Sequence, residues 1–407
     1  MRRINGLITP PGDKSITQRI IMIGAMASGE TKIENFPKND NCILTAKAMM
    51  QYANGEFDKP FYCGGSAFLA RALCGILVGL GVDTDVTGDR YLSNRPMKRV
   101  VEPIEKMDAG IITEDWHLPF KVLGGIKLHG IDYEMEVQSA QVKTAILFAA
   151  LFAEGPTTIY EKIKTRNHTE ILLKKFGADI TCEPWGEKGT KITLNPGLAL
   201  NGITMRIPGD FSSAMYFAAL AMLLPESEIY IKDVSLNSTR TRFLDIISRM
   251  GGSFEIISKT DDDEASGDIV FRTSELTGTI IEGDEIVEAI DEIPILAVLA
   301  AFANGETIIK DASELRNKEC DRLHALYENL SRMGAKITET KDGLIIKGGG
   351  EFTDCEVETY NDHRIAMSMA VARVVAGFDP YQKGMECVRT SYPEFFDEIK
   401  RLVKARD

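Results

Sequence analysis

A segment of about 20 residues recurs along this chain. It has a polar start, an Ala/Leu/Met/Phe-rich helix-forming run, usually a Gly, and then a Thr/Ile-rich strand. It reads "ITQRIIMIGAMASGETKI" after Lys14, "SAQVKTAILFAALFAEGPTTI" from Ser139, "SSAMYFAALAMLLPESEIYI" from Ser212 and "EIPILAVLAAFANGETII" from Glu292. Second helices follow three of these strands: "TRNHTEILLKKFGADI", "TRTRFLDIISRMGGSFEI" and "KECDRLHALYENLSRMGAKI". Weaker copies start at Gly65 and Asp362, which makes six units of helix, strand, helix and strands. The Gly ends each helix by accepting a left-handed backbone, and the β-branched run then extends. The chain is therefore an α/β protein built by repetition.

The starts lie roughly 70 to 80 residues apart, except for a first gap near 50, so the first unit is shortened between Ala48 and Tyr62. A chain of 407 residues is too long for one core, and two domains of about 200 residues are the default. Six units then divide into three per domain. The tripeptide Pro-Gly-Asp stands at Pro11–Asp13 and again at Pro208–Asp210, each time just before a Ser-bearing helix start. These two turns mark where the chain enters the first unit of each triplet. One domain is expected over residues 14–207, and the other over 1–13 plus 208–407.

Composition narrows the class. Hydrophobic content of 44% with 26% charged residues fits a soluble globular chain without a membrane span. Seven scattered cysteines with no C-x-x-C pair argue against a disulfide scaffold or a zinc cluster. The N-terminus has too short an apolar run for a secretory signal, so a cytoplasmic location is expected. A net charge of −13 argues against nucleic acid as a partner, but a local basic cleft can still attract small anions.

Such a cleft is suggested at the unit starts. Helix N-termini attract anions through unpaired N–H groups and the macrodipole. Here the starts carry Lys14, Ser15 and Arg19; Arg71; Ser139, Gln141 and Lys143; and Arg364. "GDKS" is not a P-loop, because Asp13 stands where the second Gly belongs. In "RNKECDR", helical spacing would make Lys318 and Glu319 neighbours of Arg322, although such clusters are more often surface ion pairs. Asn361 or Asp362 could cap the helix after "YNDHR", and Asp291 could cap the one after it, with Pro294 in the first turn.

Several motifs in order, "PGDKSITQR", "SNRPM", "SAQVKTA", "SSAMYF", "DEIPILAV", "RNKECDR" and "YNDHRIAM", resemble the 5-enolpyruvylshikimate-3-phosphate synthase family over essentially the whole chain. The resemblance implies two inside-out α/β domains, each of three βαβαββ repeats, with the active site in the cleft between them. It implies transfer of the enolpyruvyl group of phosphoenolpyruvate to the 5-hydroxyl of shikimate 3-phosphate, with release of phosphate. No cofactor or metal is implied, and the family's members are usually monomers. By motif, Lys14, Ser15, Arg19, Ser139, Gln141, Arg166, Asp291 and Lys318 are expected to hold shikimate 3-phosphate. Lys14, Ala67, Arg95, Gln141, Arg322, Arg364 and Arg389 are expected to hold phosphoenolpyruvate. Arg389 stands where many members have Lys. The catalytic expectation falls on Asp291 for the hydroxyl proton, Glu319 for the methylene proton, and Lys14 for developing charge.

One loop departs from the family. Its usual N-A-G-T-x-x-R is replaced by "GGSAFLAR", which puts Ala67 at the Gly and Phe68 at the Thr. The Ala67 methyl is expected to admit phosphoenolpyruvate while excluding a bulkier competitor such as the herbicide glyphosate. A slow or non-catalytic binding relative is the alternative. UDP-N-acetylglucosamine enolpyruvyl transferase fits less well, because "GDRYLSNRPM" has no Cys and "DKS" replaces its Lys-Asn.

Overall fold

The computed structural model describes residues 2–260 and 262–405. Met1, Asp261, Arg406 and Asp407, which the sequence reading assigns to the second domain, lie outside the described residues. The chain divides into two compact units, Lys14–Ile207 and Met1–Asp13 with Pro208–Asp407.

In the unit Lys14–Ile207, two sheets share one plan. The strands run Phe61–Tyr62, Thr84–Thr87, His117–Leu123, Gly110–Glu114 across the first and Asp132–Glu134, Thr157–Glu161, Gly189–Leu194, Ile180–Trp185 across the second. In each, the first pair is parallel and the next two are antiparallel. A parallel pair needs a crossover, and the helices Ala67–Leu77 and Ala140–Ala150 supply it. The shortened first unit keeps its two helices, Lys14–Met26 and Asp40–Ala53, and the strand Lys32–Glu34, paired in parallel with Thr204–Arg206. Helices Ala67–Leu77 and Ala140–Ala150 are buried nearly all round and pack on each other. Gly75 permits this, since a Cβ there would lie 2.0 Å from the Ala145 carbonyl oxygen.

The other unit repeats the plan. Its five-stranded sheet runs Ser253–Lys259, Ser266–Arg272, Glu228–Ser235, Arg2–Ile8, Val403–Ala405, so the N-terminal strand supplies the parallel partner of Glu228–Ser235. Its four-stranded sheet runs Ile280–Ile281, Glu306–Ile309, Leu344–Lys347, Lys336–Glu339. The two Pro-Gly-Asp turns bond to each other: the Asp13 amide donates to the Pro208 carbonyl at 2.8 Å and the Asp210 amide to the Pro11 carbonyl at 2.8 Å. Helices Phe211–Leu223, Ile293–Phe302 and His363–Val375 are buried on almost every face and pack together in the core. A helix without a polar face must be enclosed, so the amphipathic second helices, such as Arg242–Arg249, cover them.

The repeat persists where its sequence mark is missing. Gly305, after the helix Ile293–Phe302, has φ +89°. At the matching turn after Phe211–Leu223 there is no Gly, and Glu226 takes φ +51° instead. An L-residue there costs about 1 kcal/mol, which the buried helix on one side and the sheet on the other impose.

Candidate active site

Each unit gathers the starts of its three buried helices, and the candidate residues fall into two groups, one in each unit. In the unit Lys14–Ile207, Lys14 is the first residue of the helix Lys14–Met26, and both Lys14 and Ser15 are half-buried. Arg19, one turn on, is buried and fixed on several sides. Its Nε donates to Thr169 Oγ1 at 2.7 Å, its Nη2 to Thr144 Oγ1 at 3.1 Å and its Nη1 to the Ser15 carbonyl at 2.9 Å. Its guanidinium also lies 4.4 Å from the centre of the Phe68 ring. The Phe68 phenyl group is thus one wall of the Arg19 site.

Ala67 is the first residue of the helix Ala67–Leu77, whose cap Ser66 accepts from the Leu69 amide at 3.4 Å. Gln18, on the first helix, donates to Ser66 Oγ at 3.3 Å and so joins two starts. Arg71 joins the second start to the third: its Nη1 donates to Gln141 Oε1 at 2.7 Å and its Nη2 to the Pro96 carbonyl at 3.1 Å. Arg95, buried, is carried just before Pro96. Ser139 caps the helix Ala140–Ala150 by position but makes no side-chain cap bond. Arg166, half-buried, lies in the link between the strand Thr157–Glu161 and the helix His168–Lys175.

Lys143 corrects the sequence reading. Its sequence position groups it with the anion-binding starts, yet its side chain is fully buried. Its ammonium sits 2.9 Å from Glu161 Oε1 and 2.6 Å from Glu170 Oε1. The ammonium is thus paired inside the core rather than presented at the helix start.

The group in the other unit is built on arginines. Arg322 Nε donates to Asp362 Oδ2 at 2.7 Å, its Nη2 to Glu319 Oε2 at 2.5 Å, and its Nη1 reaches Asp291 Oδ1 at 3.5 Å. Arg364 Nε is 3.1 Å from the same Asp291 oxygen. Burial works against the charge of Arg322, but Asp362, Glu319 and Asp291 outweigh it and hold its pKa well above the ordinary value. Tyr216, buried in its helix, hydrogen-bonds Arg364, and desolvation pushes its hydroxyl pKa up. Lys318 Nζ donates to Glu314 Oε1 at 3.3 Å. Burial lowers its pKa, and the Arg322 charge adds to this against Glu314, Asp291 and Glu319. Arg389 is exposed at the end of the 3-10 turn Glu386–Thr390 and takes no part in these bonds.

Two local expectations change here. Lys318 and Glu319 are not on a helix: a 3-10 turn ends at Asn317, Asp321 is the N-cap, and the helix begins at Arg322. Glu319 still meets Arg322, through the chain's approach to the cap rather than along a helix face. Asp291 is not a cap either, since Glu292 holds that position without a side-chain cap bond. Asp362 caps its helix, accepting from the Arg364 amide at 2.8 Å.

Sequence reasoning missed a buried chain of polar groups beside Asp291. Arg240 Nη1 donates to Asp13 Oδ2 at 3.0 Å and its Nη2 to Ser212 Oγ at 2.8 Å, and Ser212 donates to Glu292. Asp13 and Arg240 are 227 positions apart, so only the two Pro-Gly-Asp turns hinted that these segments meet.

Comparison with known proteins decides the family. The chain matches the family described as EPSP synthase (3-phosphoshikimate 1-carboxyvinyltransferase) over residues 1–399. It belongs to the EPSP synthase family. A 3-phosphoshikimate 1-carboxyvinyltransferase of Thermoanaerobacter sp. (strain X514) is 43% identical over 421 aligned positions, covering 98% of each chain. One from Listeria welshimeri is 41% identical, covering 98% of this chain and 97% of its own. The structure of EPSP synthase from Acinetobacter baumannii superposes with a TM-score of 0.82 at 33% identity, over 100% of this chain and 98% of that one. The enolpyruvyl transferase NikO of Streptomyces tendae, at 14% identity and TM-score 0.75 over 99% of this chain and 96% of that one, shares the fold. The enolpyruvyl transferase architecture that the resemblance implied is thus the one observed. Among the described residues, no helix of this EPSP synthase family member is long and apolar enough to cross a membrane.

Proposed function

We propose that this chain transfers the enolpyruvyl group of phosphoenolpyruvate to the 5-hydroxyl of shikimate 3-phosphate and releases phosphate. The observation that carries this is one arginine, Arg322, bonded to Glu319 and in reach of Asp291, within a match to the family over residues 1–399. Two carboxylates arranged around buried cations can move two protons, and the reaction needs two moved.

Glu319 gives a proton to the methylene carbon of phosphoenolpyruvate, which leaves a cationic centre on the neighbouring carbon. The 5-hydroxyl oxygen bonds to that centre while Asp291 takes the hydroxyl proton. The resulting adduct then loses phosphate, which takes up the proton held by Asp291, and the Glu319 carboxylate removes a proton from the new methyl group to restore the double bond. Lys14 stabilises the charge that develops between the substrates. Arginines suit the two anionic groups of phosphoenolpyruvate, because a guanidinium meets a carboxylate or phosphate with two parallel bonds. Arg95, Arg322, Arg364 and Arg389 are assigned to it, with Lys14, Ala67 and Gln141. Lys14, Ser15, Arg19, Ser139, Gln141, Arg166, Asp291 and Lys318 are assigned to shikimate 3-phosphate.

All these residues belong to one chain, so a monomer contains the whole proposed set. The cytoplasm is the fitting location, since phosphorylated substrates do not cross a bilayer unaided. The test is phosphate release from phosphoenolpyruvate by the purified chain. Release that requires shikimate 3-phosphate supports the proposal. Release that responds instead to UDP-N-acetylglucosamine, or to neither acceptor, refutes it.

A further inference from the structure

Lys143, Glu161 and Glu170 make a buried ionic group that the reaction above does not use. The Lys143 and Glu161 side chains are fully buried and that of Glu170 is 5% exposed. Burial drives the Lys143 pKa down, but the carboxylates of Glu170 and Glu161 outweigh it, and the net shift is upward. Burial also raises the Glu161 carboxyl pKa, against the opposing charge of Lys143. A buried ion pair is weak as a stabiliser compared with apolar packing of the same volume. Stability alone therefore does not account for three ionisable groups in this core.

Their neighbours suggest what does. Glu161 Oε1 accepts from Thr165 Oγ1 at 2.5 Å and from the Thr165 amide at 3.3 Å, which fixes the residue immediately before Arg166. Lys143 and Glu170 tie the helix Ala140–Ala150 to the helix His168–Lys175. The next residue after Lys143 is Thr144, and the one before Glu170 is Thr169. These two hydroxyls bond each other at 2.6 Å, and each accepts from the Arg19 guanidinium.

We propose that the Lys143–Glu161–Glu170 group is a positioning clasp for shikimate 3-phosphate recognition, setting Arg166 through Thr165 and Arg19 through the Thr144–Thr169 pair. It rests on the assignment of Arg19 and Arg166 to that substrate. The three clasp residues are positioning residues and touch no substrate.

The test uses Thr165, because replacing a clasp charge endangers folding. The full chain is compared with Thr165→Val, which removes the hydroxyl at near-constant shape, and with Thr165→Ser, which restores it. Shikimate 3-phosphate binding is measured by calorimetry and turnover by phosphate release, with Arg166→Ala as reference. Thr165→Val is expected to weaken shikimate 3-phosphate binding and raise its KM about 10-fold, with kcat and the phosphoenolpyruvate KM within about 2-fold of wild type. Thr165→Ser is expected to bind as wild type does. Wild-type binding by Thr165→Val beside weakened binding by Arg166→Ala overturns the clasp alone. So does equal weakening in both Thr165 variants, or a fall in kcat without a rise in KM. Wild-type binding by Arg166→Ala removes the substrate assignment, and the inference with it.

Discussion

Arg322 holds the Glu319 carboxylate at 2.5 Å, and the two differ sharply in environment: the Arg322 side chain is 1% exposed and that of Glu319 34%. A fixed, buried cation thus orients a carboxylate that small molecules can reach. Asp362, fully buried, holds the other edge of the same guanidinium. An acid that must give and then retrieve a proton at one carbon atom benefits from that orientation.

Asp362→Asn tests this support. Asn caps a helix about as well as Asp, so the helix His363–Val375 should keep its start. The loss falls on Arg322, whose buried charge loses its strongest partner. The expected outcome is a phosphoenolpyruvate KM raised about 10-fold or more and a stability loss of about 3 kcal/mol. Steady-state kinetics and urea unfolding check the two parts.

Lys318 predicts an alkaline limit. Burial lowers its pKa, so it gives up its proton at a lower pH than an ordinary lysine. Below that pH it is a cation available to an anionic substrate, and above it the attraction is lost. Accordingly, kcat/KM for shikimate 3-phosphate should fall on the alkaline side with an inflection below the usual lysine value of 10.5. In Lys318→Arg the inflection should move out of range, because arginine stays charged. The sign for stability is opposite. In the window between the folded and unfolded pKa values the unfolded chain binds more protons, so stability rises with pH there.

Lys143→Met leaves two buried carboxylates without their cation and should cost about 3–5 kcal/mol. Adding Glu170→Met removes one of them and should recover part of the loss. Denaturant titration of the three chains measures both values. A single variant as stable as wild type would show that the buried ion group is not held as described.

Phe68 is expected to matter through Arg19. A cation–ring contact contributes about 0.5–2 kcal/mol, so Phe68→Leu should raise the shikimate 3-phosphate KM by roughly 2- to 30-fold with little change in kcat. Unchanged kinetics would mean that the Thr144 and Thr169 hydroxyls hold Arg19 without help.

The repeat made most of the fold legible. Each unit writes its helix, turn and strand locally, so apolar period and turn residues sufficed to find six copies and the α/β class. Glu226 shows the limit: the turn survives without its Gly because packing on both sides dictates it. The polar starts of the buried helices were also visible in the sequence, and within each unit the fold brings them together. What could not be read was pairing at long separation. No local pattern sets Arg240 against Asp13, or Lys143 between Glu161 and Glu170. A lysine four residues after a polar helix start reads the same whether it faces a ligand or a buried carboxylate. Likewise, residues 318–322 have helical spacing, but the Asp321 cap delays the helix to Arg322.

The most direct measurement compares wild type with Asp291→Asn and Glu319→Gln for phosphate release, alongside calorimetric binding of shikimate 3-phosphate. Both substitutions keep size and remove proton transfer. The account predicts turnover reduced by about 100-fold or more, with shikimate 3-phosphate affinity in Glu319→Gln within a few-fold of wild type. Wild-type turnover in either variant would contradict it.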